Sequence, residues 1–417
     1  MGFIKTLIVT FAVLLATDAA SLIDIADKKD IIPDSYIVVM KESVSPSSFD
    51  AHITWATNVH NGTIAKRGST AAGGMKYVYR INGWHGYSGS FDRETLNKIL
   101  QNADVDYVEP DRRVQLATWV RQRHAPSWGL PRISNRERGS SDFIYDDSAG
   151  RDITIYGVDT GIDILLPEFA GRATWGANFA GGPNRDEHGH GTHTAGTFAG
   201  TRFGIAKRST IVAVKVLNRN GSGTWAGIIQ GISWCVDHAR RTGTLGRAVM
   251  NLSLGGGRMN SANQAATRAQ DAGIFLAVAA GNSNVRNTAD WRYLEWLTCS
   301  YQADATNTSP ASAARVCTVA ASTDQDTKAS FSNWGAPIKL YAPGTNITSV
   351  LPGGMPGSMS GTSMAAPHVA GVGAAIMALH RIPPSAVCAR LIQMAEGRIR
   401  NPGAGTTNKL LYNGSGS

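Results

Sequence analysis

Three residues, far apart in the chain, have the types needed to cleave an acyl bond. Asp159 ends the apolar run "IYGVD", His190 sits in "DEHGHGTHTAGT", and Ser363 sits in "MSGTSMAAPHVAG". A serine hydroxyl is a weak nucleophile at neutral pH and needs a base to take its proton. Imidazole titrates near neutrality, so His190 can be that base. A carboxylate behind it, Asp159, can hold the correct tautomer and stabilise the imidazolium. Ser363 reads as opening a helix, where the positive dipole end and its own N–H can face a developing oxyanion. Singly, each signal is weak: Asp-Thr-Gly most often marks a strand-end turn, and Gly-Thr-Ser a helix cap. His190 and His193, three apart, could also ligate a metal, but no Cys, Asp or Glu cluster completes a tetrahedral set.

These residues need elements to position them. From about Ala117 the chain repeats one design, an apolar run closed by glycine or a turn: "DITIYGVDTG", "RSTIVAVKVL", "RAVMNLSLGG", "GIFLAVAAGN". Between and after them, "SGTWAGIIQGISWCVDHARR" and "GTSMAAPHVAGVGAAIMALH" read as helices. Strands alternating with helices predict a parallel sheet covered on both faces. Ligands of such sheets sit beyond the strand C-terminal ends, where the reactive groups fall. An earlier stretch reads as a small α+β unit. "SYIVVMK" is a strand, "DRETLNKIL" a helix with Asp92 as N-cap, and "VDYVEPDRRV" a strand ended by Pro110. With 417 residues, 42% hydrophobic and 17% charged, the chain can bury a large core and form two or more units. The formal charge of +9 is scattered, with no basic run interleaved with aromatics, which argues against nucleic-acid binding. Residues 1–20, "MGFIKTLIVTFAVLLATDAA", have the pattern of a secretory signal, too short to span a membrane. No second long apolar run follows, so the mature protein is expected to be soluble, extracellular and not membrane-bound. Four cysteines permit one or two disulfides there. Asn346-Ile-Thr and Asn413-Gly-Ser are candidate glycosylation sites, whereas Asn251-Leu-Ser reads as buried.

The chain order Asp, His, Ser, with "VDTGI", "HGHGTHTAG", "NLSLGGG", "AVAAGN", "SFSNWG" and "GTSMAAPHVAG", resembles the subtilisin-type serine peptidases. Within them it is similar to the secreted fungal branch typified by proteinase K, which includes enzymes of skin-infecting fungi. The resemblance covers nearly all the chain after the signal. It implies an α/β, parallel-sheet catalytic domain over 118–417, preceded over 21–117 by a small α+β, ferredoxin-like inhibitor propeptide. It implies a secreted serine endopeptidase of broad, apolar- or aromatic-leaning specificity, made as a self-processing preproenzyme. The mature N-terminus is expected between about Leu116 and Arg121.

The same resemblance assigns roles. Asp159, His190 and Ser363 match the catalytic residues, and Asn282 the oxyanion asparagine, which donates from its side-chain amide beside the Ser363 N–H. Removing such a donor costs about 3–4 kcal/mol of barrier in subtilisin, the enzyme from which that figure comes. Gly221, Ser222 and Gly223 match the edge that pairs with extended substrate, and Ser253, Leu254, Gly255 and Gly256 the opposite wall. A peptide held between two such edges is read through its backbone, so preference is broad. The primary pocket is expected between Ser253–Gly256 and Ala279, Ala280 and Gly281. Nothing acidic stands in these walls, which favours apolar or aromatic side chains. Cys317 and Cys388 match a disulfide pair, Cys235 reads as a buried free thiol, and Cys299 has no obvious partner. The chemistry requires no cofactor. Members of the family often bind structural calcium through a carboxylate shortly after "SFSNxG", but Lys339 stands at that place here, and a cation cannot ligate a cation. Expected partners are protein or peptide substrates and the propeptide as intramolecular inhibitor, with the protein a monomer. The competing readings are a catalytically silent homologue acting as a binding or inhibitory protein, and an esterase; the peptide-clamping segments argue against the second.

One segment departs from the family. Removing 285–302 leaves "AAGNSNADATNTSPAS", an ordinary family sequence. Val285 codons begin GT and one Gln302 codon ends AG, the bounds of an intron. The segment is therefore read as a retained in-frame intron; the rival is an inserted loop on the cleft rim, which would expose several aromatics and Cys299.

Overall fold

The computed structural model describes residues 20–24, 31–67, 73–113, 118–283 and 304–416. Residues 1–19, the segment 285–302 and Cys299 lie outside the described residues. The chain divides into two compact units, Met1–Leu116 and Ala117–Ser417.

In the first unit, β1 (Ser21–Leu22) and β2 (Ile31–Met40) precede α1 (Pro46–Arg67). Next come β3 (Gly74–Ile81), β4 (Trp84–Ser90), α2 (Arg93–Leu100) and β5 (Val105–Arg112). The sheet order is β1-β5-β2-β4-β3, so apart from the short β1 the unit is a ferredoxin-like βαββαβ with antiparallel neighbours. α2 begins as the sequence expects: Asp92 Oδ1 accepts the Thr95 N–H at 2.7 Å, and Thr95, Leu96 and Ile99 are buried. β5 corrects the reading of Pro110 as a strand end. The strand continues through it, with Pro110 opposite Tyr36. Among the described residues β1 pairs only with Tyr107 and Val108, so Pro110 has no strand partner on that flank, and a strand edge is where a proline is tolerated. Phe49, Tyr87, Phe91 and Ile99 fill the core, and His52, His60 and His85 are buried with them. His52 Nε2 lies 3.1 Å from the Tyr87 hydroxyl.

The second unit is built on a nine-stranded sheet. Its main strands are β6 (Thr154–Asp159), β7 (Ala173–Asn178), β8 (Thr210–Lys215) and β9 (Ala248–Leu252), then β10 (Ile274–Ala279), β11 (Cys317–Ser322) and β12 (Ile338–Pro343). They lie parallel in the order β12-β11-β10-β9-β6-β8-β7, with two two-residue strands beyond β12. The helices are α3 (His190–Ala199), α4 (Trp225–Arg241), α5 (Asn260–Asp271), α6 (Thr362–His380) and α7 (Pro384–Met394). Successive strand residues point to opposite faces. Ile155, Val249 and Phe275 pack with Phe198, Val369 and Leu391 of α3, α6 and α7. Tyr156, Met250 and Leu276 pack with Ile232 and Ala266 of α4 and α5. Burial on both faces is why these strands read as unbroken apolar runs. α6 is long and apolar enough to cross a membrane by composition, yet most of it is buried in this core. Cys317 and Cys388 form a disulfide between β11 and α7, closing a separation of 71 residues. In the chain-entropy account such a closure stabilises by about 4 kcal/mol. Cys235 in α4 is buried and free.

Burial lowers the pKa of His52 below its ordinary 6.5, against smaller opposing effects of Asp104 and Asn102. A group whose folded pKa is depressed binds its proton more readily unfolded, so the first unit loses stability as pH falls through 6.5. The intact chain carrying Ser363→Ala, which removes the expected nucleophile, permits the measurement. Hydrogen-exchange protection of β2 and β4, corrected for intrinsic rates, should fall between pH 7.5 and 5.5, and His52→Leu should shrink that fall. Equal protection at the two pH values would contradict this account.

Candidate active site

β6 ends on the fully buried Asp159, and α3 begins on His190. Strand end and helix start meet through a 2.7 Å hydrogen bond between Asp159 Oδ1 and His190 Nδ1. The same oxygen accepts the Thr160 N–H at 2.7 Å. Burial alone would depress the imidazole pKa. The charge and hydrogen bond of Asp159, with a further contribution from Asp186, outweigh it and raise the pKa above its usual value. His193 is employed elsewhere: its Nε2 lies 2.9 Å from the Ile347 carbonyl and 3.2 Å from that of Gly357, and burial pushes its pKa down to about 4. Among the described residues no group of three or more His, Cys, Asp or Glu is placed to hold a metal ion.

Ser363 is the second residue of α6, and Pro367 lies four residues further along the same helix. Proline has no N–H, so the Ser363 carbonyl loses its helical donor. Ser253, just beyond β9, replaces it: its Oγ donates to Ser363 O at 2.7 Å. In return Ser363 Oγ donates to Ser253 O at 3.0 Å, and Asn251 Nδ2 donates to Ser253 Oγ at 2.9 Å. The hydroxyl of Ser363 thus rests on the Ser253 carbonyl.

Asn282 follows β10. Its Oδ1 accepts both the N–H and the hydroxyl of Thr362 at 2.9 Å each, which fixes the amide and leaves Nδ2 as the free donor end. Thr362 Oγ1 also accepts the Gly281 N–H at 3.1 Å. The turn is clamped by Asn333 of "SFSNWG". Its Nδ2 donates to Ala280 O at 2.9 Å, its Oδ1 accepts Ser283 N–H at 2.9 Å, and its own N–H donates to Gly281 O at 3.0 Å. Gly281 has φ +100°, and a Cβ there would lie 2.5 Å from Asn333 Nδ2, so only glycine fits.

His190, Ser363 and Asn282 share one cleft of about 750 Å³. Gly221, Ser222 and Gly223 line it, as do Ser253, Leu254, Gly255, Gly256, Ala279 and Gly281. Ala280 does not; it is fully buried behind the wall and gives its carbonyl to Asn333. Leu217, Trp225 and Ile228 add apolar lining that the sequence reading did not name. It also gave no role to Thr160, Asp186, Thr362 and Asn333, short polar residues without periodicity, although all four lie in quoted stretches. Lys339 lies half-buried in β12. Asn346 is exposed. Asn413 is half-buried, and its Nδ2, the atom that would carry a glycan, donates to Ile144 O at 2.7 Å. Asn251 is fully buried.

Comparison with known proteins agrees with this geometry. Residues 150–411 match the subtilase family and residues 35–117 the peptidase inhibitor I9 family. The chain is 62% identical over 416 residues to a subtilisin-like protease of Coccidioides posadasii, with 100% of both chains covered. It is 56% identical over 417 residues to subtilisin-like protease 11 of Arthroderma benhamiae, again with 100% of both covered. Among solved structures it resembles a cold-adapted subtilisin-like serine proteinase at 38% identity and TM-score 0.61, over 69% of this chain and 97% of that one.

The exchange between Ser253 and Ser363, made necessary by Pro367, yields a test by rescue. Ser253→Ala leaves the Ser363 carbonyl without its donor and should lower stability by about 1–3 kcal/mol. Adding Pro367→Ala restores a helical N–H to that carbonyl and should recover part of the loss in urea unfolding; the share due to Asn251 Nδ2, which also loses its acceptor, should remain. Additive losses in the double variant would refute the proposed exchange.

Proposed function

The chain belongs to the subtilase family of serine peptidases, with an inhibitor-type propeptide before its catalytic domain, and from that premise we propose that it is a secreted endopeptidase of broad, apolar-leaning specificity that matures by cutting itself. The observation that carries this reading is the 2.7 Å Asp159–His190 hydrogen bond at the wall of a cleft that also holds Ser363 and Asn282. In the reaction, Ser363 Oγ turns from the Ser253 carbonyl to His190 Nε2, gives up its proton and attacks the scissile carbonyl. Asp159 holds Nδ1 and stabilises the imidazolium. The oxyanion is received by the Ser363 N–H and Asn282 Nδ2, whose aim Thr362 and Asn333 fix in advance. His190 then protonates the leaving amine, and water releases the acyl group by the same route.

Substrate lies extended between 221–223 and 253–256, held by backbone contacts. Leu217, Trp225, Ile228 and Leu254 favour apolar side chains along that path. The signal peptide is 1–20 and the propeptide 21–117. Within the 116–121 window, cleavage falls before Trp119. Residues Trp119–Gln122 pair with Phe143–Asp146, and a later cut would sever that ladder. Asn346 is the favoured glycan site and the protein works outside the cell as a monomer.

The Ser363→Ala chain, expressed in a host lacking other proteases, should show no peptidase activity and keep its propeptide. A mature-sized Ser363→Ala product would contradict self-processing. A purified wild-type protein that neither hydrolyses peptide chromogens nor takes up a serine-directed phosphonyl reagent would instead point to a silent binding homologue.

A further inference from the structure

We propose that Asp186, bridged through Thr160 to the buried Lys215, is a positioning residue that locks the His190 helix end onto the Asp159 strand end. The proposal rests on the reading of Asp159, His190 and Ser363 as the catalytic triad.

Asp186 is 6% exposed and receives five hydrogen bonds. Its Oδ1 accepts Thr160 Oγ1 at 2.8 Å, His188 N–H at 3.0 Å and Gly189 N–H at 2.8 Å. Its Oδ2 accepts Thr192 N–H at 2.9 Å and Thr192 Oγ1 at 2.6 Å. The Gly191 N–H goes to Thr160 Oγ1 at 2.9 Å. The backbone on both sides of His190 is therefore tied to one carboxylate and one threonine. That threonine immediately follows Asp159, and its N–H bonds the Asp159 carboxylate. Its third polar group, the carbonyl, accepts Lys215 Nζ at 2.6 Å. Lys215 ends β8 opposite Asp159 and is fully buried. The cation balances the two carboxylates that converge on this strand end. Burial would raise the Asp186 pKa, but the bonds from Thr192, Gly189 and Thr160 outweigh it and keep the group ionised.

Position and charge are separable. The titratable and charged groups around His190 are Asp159 on β6, Lys215 on β8, Asp186, Glu187 and His188 on the preceding loop, and His193 one turn along α3. Asp186 is the anion that, after Asp159, raises the pKa of His190. Removing its charge should lower the pH at which the base becomes neutral; removing the Lys215 charge should raise it.

The test uses the full chain matured to active peptidase, with active sites counted by a phosphonyl reagent. Asp186→Asn keeps the shape but cannot accept the Thr192 donors as before. Its kcat should fall about 10–100-fold per active site, as expected for a slight misplacement of the base, with KM for a short peptide unchanged. The acid limb of kcat/KM should move down by about 0.5–1 pH unit. Lys215→Met should move it up. An acid limb left at its wild-type pH in Asp186→Asn, with activity loss matched only by loss of active sites, overturns the proposal. Should Asp186→Asn fail to mature, Lys215→Met decides: an unmoved or lowered limb overturns it. Inactivity of the wild-type protein would instead defeat the triad reading itself.

Discussion

Where a parallel sheet stops, its backbone ladder stops with it, and the carbonyls just past the strand ends need new partners. Three of them meet at this cleft. Thr160 O after β6 is capped by Lys215 Nζ, Ser253 O after β9 by Ser363 Oγ, and Ala280 O after β10 by Asn333 Nδ2, at 2.6, 3.0 and 2.9 Å. Leaving a buried polar group unmade costs about 1–3 kcal/mol, more than a typical satisfied hydrogen bond contributes. Each cap borders a reactive group, and the two made by Lys215 and Asn333 fix the strand ends they close. The geometry of the chemistry follows from completing the sheet.

The middle cap has a second use. Ser363 Oγ closes the Ser253 carbonyl, while its own carbonyl, freed by Pro367, is closed by Ser253 Oγ. When the hydroxyl turns to the base, one bond of about 1 kcal/mol is exchanged for another, and the reciprocal bond still holds the backbone of Ser363 in place. The side chain is thereby free to move while the N–H that receives the oxyanion stays put. A proline within a helix is usually a defect; here the defect is the socket into which the wall of the cleft plugs.

The reactive groups are legible only together: Asp159 at the end of an apolar run, and His190 and Ser363 at helix starts, are weak signals singly, but their chain order and flanking motifs carry the family likeness. The sequence revealed the disulfide through that likeness, and Asp92 through the ordinary chemistry of a helix cap. It misjudged Pro110, because whether a proline ends a strand depends on which neighbour is present, and β1 is too short to reach it. The family likeness placed Ala280 in the pocket wall, since a motif match does not tell which residues of a tight turn face inward. Asp186, Thr160, Lys215 and Asn333 stayed silent for a related reason. Thr160, Lys215 and Asn333 find partners far along the chain, and Asp186 bonds both its own loop and Thr160, so no local pattern announces the network.

The two units also differ in how their contacts are spread along the chain. In the first, β3 and β4 are joined by Asn82 and Gly83, both at positive φ, the two-residue turn that suits the twist of a hairpin. That hairpin is local and quick to form, while β2 still pairs with β4 and β5 across longer stretches of chain. In the second, β6 pairs with β8 and β9, β9 with β10, and the nucleophile arrives on α6, after every main strand of the sheet. Loop-closure entropy must be met before such distant pairings are rewarded. A chain folding from its N-terminus thus completes its first unit while Ser363 is still to be added. The cleft cannot become reactive until the last long helix docks and exchanges bonds with Ser253. Placing the nucleophile late in the chain makes chemical competence a consequence of finished folding, since a partly assembled sheet has no Ser363 carbonyl to cap and no oxyanion donor held in place.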